Sequence, residues 1–304
     1  MEGRAAALGA GTVLNALATG TGAAFGIDVE TRATVTLNPD ADGVRGTIAE
    51  DPDGDTALIE HCVALATERW GDGEGGTVRT DSDVPLAAGL KSSSAAANAT
   101  VLATCDALGL AVGDDDADPS VDVTRLDACR LGVRAAREAG VTVTGAFDDA
   151  SASMVGGLTV TDNTADDLLV HETVDWDVLV WTPPERAYSA DADVERCQQI
   201  APIADLVADL ARDGDYGRAM TVNGLAYCAA LAFPTDPIVD ALPDATGASL
   251  SGTGPSYVAV FETDGHDAKV TDGENARDAV AARWRERDGD TWRTTTRRDG
   301  ARIL

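Results

Sequence analysis

The chain has 304 residues, of which 44% are hydrophobic but only 4% aromatic, so its core has to be built mainly from alanine, valine and leucine. A formal net charge of −29, from 52 acidic and 23 basic residues, disfavours nucleic acid and anionic membranes as partners. Acidic excess and scarce lysine together suggest, as a hypothesis, a halophilic cytoplasm with molar salt that screens the repulsion.

Cysteine and histidine are too scattered to predict a metal site or a disulfide framework. No run of about 18 uncharged apolar residues predicts a membrane span, and no basic leader is present. The oligomeric state cannot be read from the sequence. The cysteines lack CxxC spacing and fall in segments with helical patterning, which predicts reduced, buried thiols of a cytosolic protein; they are Cys62, Cys105, Cys129, Cys197 and Cys228.

Periodicity predicts alternating strands and helices in the first half of the chain. Alternating β-branched residues predict a strand over 31–38, with a hairpin partner over 43–50, and helical spacing predicts a helix over 56–70. The elements predicted next are a strand (75–85), helices (92–110 and 121–139) and a strand–loop–strand unit (141–162).

The second half begins after a polar stretch at 163–167, the best candidate for a domain boundary. Strands are predicted over 176–183 and 256–262, helices near 191–212, 215–232 and 273–287, and an uncertain polar tail after them. The alternation predicts an α+β chain of two domains, 1–163 and 164–304. It is too irregular for an eight-stranded βα barrel.

The turn in PLAAGLKSSSAAANAT (85–100) contains Lys91, one of only two lysines in the chain beside Lys269. Gly89 allows a close backbone approach, and three serines stand where an Ala-rich helix begins. The unpaired amides and positive dipole end of that helix favour an anion, most naturally phosphate. A compact ammonium suits such a cradle better than a planar guanidinium. An Ala/Ser helix with an ordinary cap is the alternative interpretation.

Other nucleotide-binding motifs are absent from the sequence. The P-loop pattern G-x-x-x-x-G-K-[ST] does not occur, and neither do the H-R-D and D-F-G elements of protein kinases. The stretch 8–20 fails the spacing of a dinucleotide-binding fingerprint. An ordinary P-loop enzyme, a protein kinase and a Rossmann domain are therefore disfavoured.

The Lys91 turn resembles the second motif of the GHMP kinases (galactokinase, homoserine kinase, mevalonate kinase and relatives), which reads roughly P-x-x-x-G-L-x-S-S-A. Ser94 stands where the family often has alanine, and Lys91 where it usually has a small residue. The stretch 249–261 is similar to the third motif, which lies against the phosphates, and 3–31 is similar to the first, which contacts the phosphoryl acceptor. For 249–261 the alternative is a tight turn before a strand, and for 3–31 the alternative is that the glycines serve packing. The matching positions are Pro85, Gly89, Leu90, Ser92 and Ser93.

The stretch GAFDDASASMVGG (145–157) is similar to the loop that carries the catalytic aspartate in several members. The family spacing selects Asp149, although the neighbouring Asp148 leaves the assignment open. Glu138 corresponds to the Mg²⁺-binding glutamate of mevalonate kinase-like members; a solvated charge at a helix end is the alternative. The other residues that fit the loop spacing are Ser153, Gly156 and Gly157.

The resemblance implies a role for each motif. Lys91 would neutralise charge on the transferred phosphoryl group, Asp149 would accept or orient the acceptor proton, and Mg²⁺ would be held by Ser93 and Glu138. Arg4, Thr12 and Asn15 of the first motif would bind the acceptor. ATP would lie over Pro85, Leu86, Ala87, Ala88, Gly89, Leu90, Lys91, Ser92, Ser93, Ser94 and Ala95, closed by Gly252, Thr253 and Gly254.

The resemblance also implies the two-domain GHMP kinase fold, with an N-terminal half like domain 2 of ribosomal protein S5 and a ferredoxin-like C-terminal half. The lysine-containing turn and the two Gly-rich stretches closely resemble the archaeal shikimate kinase branch, which phosphorylates the 3-hydroxyl of shikimate with ATP. Homoserine and mevalonate kinases are the alternatives within the family. Outside enzymes, a non-catalytic nucleotide sensor and an acidic protein without a small ligand stay open, and Asp149 counts against the sensor.

Overall fold

The computed structural model describes residues 1–114, 117–142, 145–187, 192–262 and 270–304, so Lys269 lies outside the described residues. The first half contains β1 (Glu2–Leu14), β2 (Thr21–Asn38), β3 (Val44–Ile48), α1 (Ala57–Trp70), β4 (Gly75–Ser82), α2 (Ser92–Leu108), β5 (Val112–Gly113), β6 (Val123–Thr124), α3 (Arg125–Glu138), α4 (Phe147–Val155), β7 (Leu158–Asp162) and β8 (Asp167–Glu172). The second half contains β9 (Trp176–Thr182), α5 (Val194–Gln198), α6 (Ala201–Arg212), α7 (Tyr216–Leu231), α8 (Asp236–Ala241), β10 (Gly247–Leu250), β11 (Tyr257–Glu262), α9 (Val270–Arg285), β12 (Asp290–Thr295) and β13 (Arg302–Ile303).

A mixed sheet in the order β13-β1-β2-β4-β3 forms the centre of the first half, and β2 also pairs with β7, which pairs with β8. β3 pairs with β4 in parallel, so the predicted hairpin between 31–38 and 43–50 is wrong. Helix α1 connects β3 to β4 and reverses the chain direction, as in a βαβ crossover, and β4 rather than β3 then takes the place beside β2.

Helix α2 packs on β1 and β2, surrounded by α1, α3 and α4, and is buried on most of its surface. Alanine suits this position because it lets the helix approach the sheet closely. Gly3 of β1 shows how close the approach is, since a Cβ there would lie 2.2 Å from the carbonyl oxygen of Ala103. The start of α2, which contains the predicted phosphate turn, is thereby fixed relative to the sheet.

An antiparallel sheet in the order β10-β11-β9-β12 forms the second half, and its helices include α7, α8 and α9. The predicted helix near 191–212 is two helices, because Pro202 stands in the first turn of α6 and favours a new start there. Helices α6 and α7 also contact β1 and β2, and the two halves meet there. Strands β8 and β13, which follow the predicted boundary at 163/164, pair within the first sheet, and the division into 1–163 and 164–304 stays a prediction.

Two further sequence expectations, on the Asp149 stretch and on the cysteines, have clear outcomes. The stretch around Asp149, predicted as a loop, is helix α4, because its small residues allow full burial and Ser151 Oγ bonds the helix carbonyl of Asp148. Among the described residues, no helix is long and apolar enough to cross a membrane. All cysteines are free, buried and helical, as predicted: Cys62, Cys105, Cys129, Cys197 and Cys228.

The C-terminal tail binds back onto the first sheet through Glu30. Its carboxylate, 8% exposed, accepts hydrogen bonds from the guanidinium groups of Arg297 and Arg302. Burial by itself raises the pKa of Glu30, but the hydrogen bonds and charges of the two arginines outweigh it and hold the pKa below its ordinary value. The backbone of the tail adds a hydrogen bond from Ala301 N to the oxygen of Met154, in α4.

Replacing Glu30 by alanine leaves both arginines without this buried partner, and we expect the free energy of unfolding to fall by about 2 kcal/mol. Because the folded-state pKa is lowered, the contribution of Glu30 is present at neutral pH and is lost as the pH falls through that pKa. Denaturant titration in molar KCl at pH 7 and pH 4 measures both effects. Glu2→Ala, which removes an exposed partner of Arg4, is the control and should change stability by less than about 0.5 kcal/mol. Equal effects of the two substitutions would contradict this role of Glu30.

Candidate active site

The turn before α2 has three residues in the left-handed region of backbone space: Ala87 (φ 53°), Gly89 (φ 77°) and Lys91 (φ 67°). Left-handed residues alternating with ordinary ones turn successive N–H groups toward one concavity, which is a common anion-binding arrangement. Lys91 is the N-cap of α2 and makes no side-chain cap. In the described part of the chain, the amides of the following three serines have no backbone acceptor. The turn can therefore bind an anion with main-chain donors.

The Lys91 side chain forms an ion pair with Asp149, in the first turn of α4. Lys91 Nζ lies 2.8 Å from Asp149 Oδ1, and the side chains are only 5% and 18% exposed. Helix α4 begins at Ala146, which is also left-handed (φ 52°, ψ 47°) and gives no side-chain cap. Two helix starts whose N-cap residues give no side-chain cap thus meet across this pair, and both dipoles direct positive potential toward the same point.

Asp148 stands next to Asp149 but is buried, with only 4% of its surface exposed. Its Oδ1 accepts a 2.7 Å hydrogen bond from Asn163 Nδ2, and its backbone N–H donates to Asn163 Oδ1. Burial and then the charge of Asp149 raise the pKa of Asp148 to about 7, although Lys91 and Asn163 act in the opposite direction. Both carboxylates line the same cleft, but Asp149 is the more exposed of the two, and Asp148 is buried and hydrogen-bonded to Asn163.

The predicted third motif packs directly on the phosphate turn. Ser251 Oγ donates a 2.8 Å hydrogen bond to Gly89 O, and Ser256 N donates to Ala88 O. Position 252 favours glycine, because its φ is 59° and a Cβ there would lie 2.8 Å from Lys91 Nζ, which would have to shift. The two turns therefore enclose the lysine head group between them.

Thr12 and Asn15, at the end of β1, fix the Gly252 turn in place. Thr12 Oγ1 accepts from Gly252 N (2.8 Å), and Asn15 Nδ2 donates to Gly252 O (2.9 Å). Asn15 is fixed in turn by α7, where Asn223 Oδ1 accepts from its backbone N–H and the Tyr227 hydroxyl donates to its carbonyl oxygen. Asn223 and Tyr227 could not be found from the sequence, because their role depends on contacts more than 200 residues apart.

Comparisons with known proteins agree with this geometry. Residues 57–157 match the family described as "GHMP kinases N terminal domain". A protein named shikimate kinase from Halobacterium salinarum is 61% identical over 302 residues, which cover 99% of each chain. The chain belongs to the GHMP kinase family. Another shikimate kinase, from Methanosarcina acetivorans, is 48% identical over 93% of this chain and 98% of its own. In structure, a homoserine kinase from Cytophaga hutchinsonii matches with a TM-score of 0.71 at 17% identity, over 100% of this chain and 97% of its own.

The fold and family predicted from the motifs are confirmed by these matches. The structure brings Lys91, Asp149, Thr253 and Asn15 of the GHMP kinase motifs to one narrow cleft. It does not bring Arg4 there, since the Arg4 guanidinium is exposed and binds Glu2 at the opposite end of β1. The side chains of Thr12 and Asn15 are hydrogen-bonded to the Gly252 turn, so both residues hold that turn in position.

GHMP kinase chemistry implies a magnesium ion. The structure is compatible with one of the two side chains predicted to hold it. The described residues contain no cluster of three or more acidic, cysteine or histidine side chains suited to a metal. Mg²⁺ bound to ATP needs only one or two protein oxygens, because phosphates and water complete its shell. Ser93, exposed at the start of α2, meets that need. Glu138 instead accepts a 2.8 Å hydrogen bond from Arg134 near the end of α3.

Asp148→Asn should stabilise the protein more at pH 8 than at pH 5. A raised folded-state pKa means that the native state keeps a proton which the unfolded chain releases above about pH 4, so wild-type stability falls with rising pH until about pH 7. Asparagine removes this loss, on the order of 3 kcal/mol between pH 5 and pH 8, and preserves an acceptor for Asn163. Denaturant titrations of both proteins from pH 5 to 8 give the difference. A difference that does not change with pH would contradict the raised pKa.

Proposed function

We propose that the chain is an ATP-dependent shikimate kinase that phosphorylates the 3-hydroxyl of shikimate. The observation that carries the proposal is the Lys91–Asp149 ion pair at the meeting point of the starts of α2 and α4. Phosphoryl transfer needs a positive seat for the phosphates and a nearby carboxylate for the acceptor hydroxyl. The turn before α2 supplies the first and α4 supplies the second.

At the phosphate end of the cleft, the free amides of Ser92, Ser93 and Ser94 bind the terminal phosphates of ATP. Lys91 Nζ, fixed by Asp149 and enclosed by Gly252, neutralises charge that develops on the transferred group. Ser93 Oγ would hold the Mg²⁺ that accompanies ATP, and the ion would supply positive charge next to the phosphates.

At the acceptor end, Asp149 orients the attacking hydroxyl and takes up its proton as the new oxygen–phosphorus bond forms and ADP leaves. Asp149 is chosen over Asp148 because it is the more exposed of the two and contacts Lys91, whereas Asp148 is enclosed and hydrogen-bonded to Asn163. The loop carrying Gly252 and Thr253 covers the cleft and excludes water from the transfer.

The choice of shikimate rests on the relatives, since proteins named shikimate kinase reach 61% identity over nearly the whole chain. Homoserine and mevalonate kinases share only the fold, at 17% and 14% identity. We also propose that the enzyme works in a salt-rich cytoplasm, where counterions screen its net charge of −29 and its buried thiols stay reduced.

The substrate is tested by measuring ADP formation with shikimate, homoserine and mevalonate side by side, in molar KCl with Mg²⁺. We expect kcat/KM for shikimate to exceed the other two by at least about 1,000-fold, because a polar site rejects acceptors that leave its groups unpaired. Turnover of homoserine or mevalonate at a comparable rate would contradict the substrate assignment while leaving kinase activity intact.

Asp149→Asn should lower kcat by roughly 100- to 10,000-fold and leave the KM for ATP within about threefold, because the carboxylate acts on the transferring step. Steady-state kinetics with shikimate and Mg-ATP measure both constants. Asp81→Asn, which changes an exposed carboxylate on β4, is a suitable control and should be neutral. Retained kcat in Asp149→Asn would remove the proton-accepting role.

A further inference from the structure

A second cavity lies beside the catalytic cleft, between the segment after β9 and the end of α7. Its volume is about 400 Å³, in the range of small-molecule pockets. Ala230, Leu231 and Phe233 give it an apolar wall, and two guanidinium groups, those of Arg186 and Arg196, line it as well. It is therefore an apolar pocket with a cationic part, in a protein whose overall charge is strongly negative.

The two arginines differ from most others in the chain because they lack a carboxylate partner. Most arginines form ion pairs with aspartate or glutamate, as expected where acids exceed bases 52 to 23. Within the described ranges, no carboxylate lies at ion-pair distance from Arg186, and Arg196 donates only to the Ala229 carbonyl oxygen. Asp193 also lines the cavity, but its carboxylate accepts from the Arg196 backbone N–H and caps α5.

The cavity is adjacent to the catalytic cleft. Thr253, in the turn that encloses Lys91, lines both spaces. On the other side, Ala187 N donates a 3.2 Å hydrogen bond to Ala87 O in the phosphate turn. Arg186 is the neighbour of Ala187 in sequence, so this bond ties its backbone to the nucleotide-binding segment.

We propose that Arg186, assisted by Arg196, binds the carboxylate of the phosphoryl acceptor. This inference rests on the proposed function and identifies how that site recognises an acidic substrate. An acceptor whose hydroxyl lies at Asp149 has its far end directed past Thr253 toward the cavity. A guanidinium matches a carboxylate with two parallel hydrogen bonds, which a lysine does not offer. The ATP phosphates have their own donors, the α2 amides and Lys91, so the second cationic site serves a second anion.

The experiment is a steady-state kinetic comparison of wild type, Arg186→Ala and Arg186→Lys, with shikimate and with its uncharged methyl ester, in molar KCl. Arg45→Ala is the matched control, because Arg45 on β3 is also exposed and unpaired within the described ranges but lies outside both cavities. We expect Arg186→Ala to raise the KM for shikimate about 10- to 100-fold, with the KM for ATP changed less than about twofold. The KM of Arg186→Lys for shikimate should lie between those of wild type and Arg186→Ala, since lysine keeps the charge but lacks the planar guanidinium. The wild type should prefer the acid to the ester, and Arg186→Ala should not.

Three results would overturn the assignment: an unchanged KM for shikimate in Arg186→Ala, an equal rise in KM for ATP, or a preference for the acid over the ester that survives the substitution. The second result would point to a phosphate contact. Failure of the proposed function is distinguishable, because it would appear as a wild-type protein that forms no ADP with shikimate. Arg186 is exposed, so its substitution leaves folding intact, and the thermal midpoint of each variant checks this.

Discussion

The ion pair between Lys91 and Asp149 is the interaction on which the rest of the site depends. It joins the first turns of α2 and α4 and lies under the Gly252 turn, so three separate segments are positioned by one contact. Neither N-cap residue, Lys91 or Ala146, caps its helix with its own side chain, and each is a left-handed residue other than glycine, a conformation that costs on the order of 1 kcal/mol. The surrounding packing has to maintain both left-handed conformations. The start of α2 keeps main-chain N–H donors free for a ligand.

The polar contacts behind the pair explain how the two halves of the molecule cooperate. Asn15 in the first half bonds to Gly252 in the second, and Asn223 and Tyr227 on α7 fix Asn15. The Gly252 turn is thus attached to both halves. In the proposed function, this attachment and the cationic cavity beside it let both halves take part in binding nucleotide and acceptor.

The turn before α2 and the position of Asp149 were predicted from local patterns. An Ala/Ser helix start, a rare lysine and the spacing around Asp149 all occur within short stretches of sequence. The buried thiols were predicted in the same way, from helical patterning around each cysteine. Long-range pairing was not readable: β3 pairs with β4 instead of forming the hairpin predicted from adjacent strands. Burial was equally hidden: the sequence does not show that Asp148 is buried and bonded to Asn163, whereas Asp149 is the more exposed of the two. Arg4 was proposed only because it falls within the first motif. It lies at the opposite end of β1 from the cleft, where its guanidinium binds Glu2.

A double-mutant cycle on kcat tests the central claim most directly, with wild type, Lys91→Met, Asp149→Asn and the doubly substituted protein assayed with saturating Mg-ATP and acceptor. If the two side chains act as one unit, the double variant is slower than the slower single variant by no more than about threefold, because the first substitution already removes what the second would remove. If the two losses in kcat multiply, the residues act independently, and the account of the site built on their ion pair is contradicted.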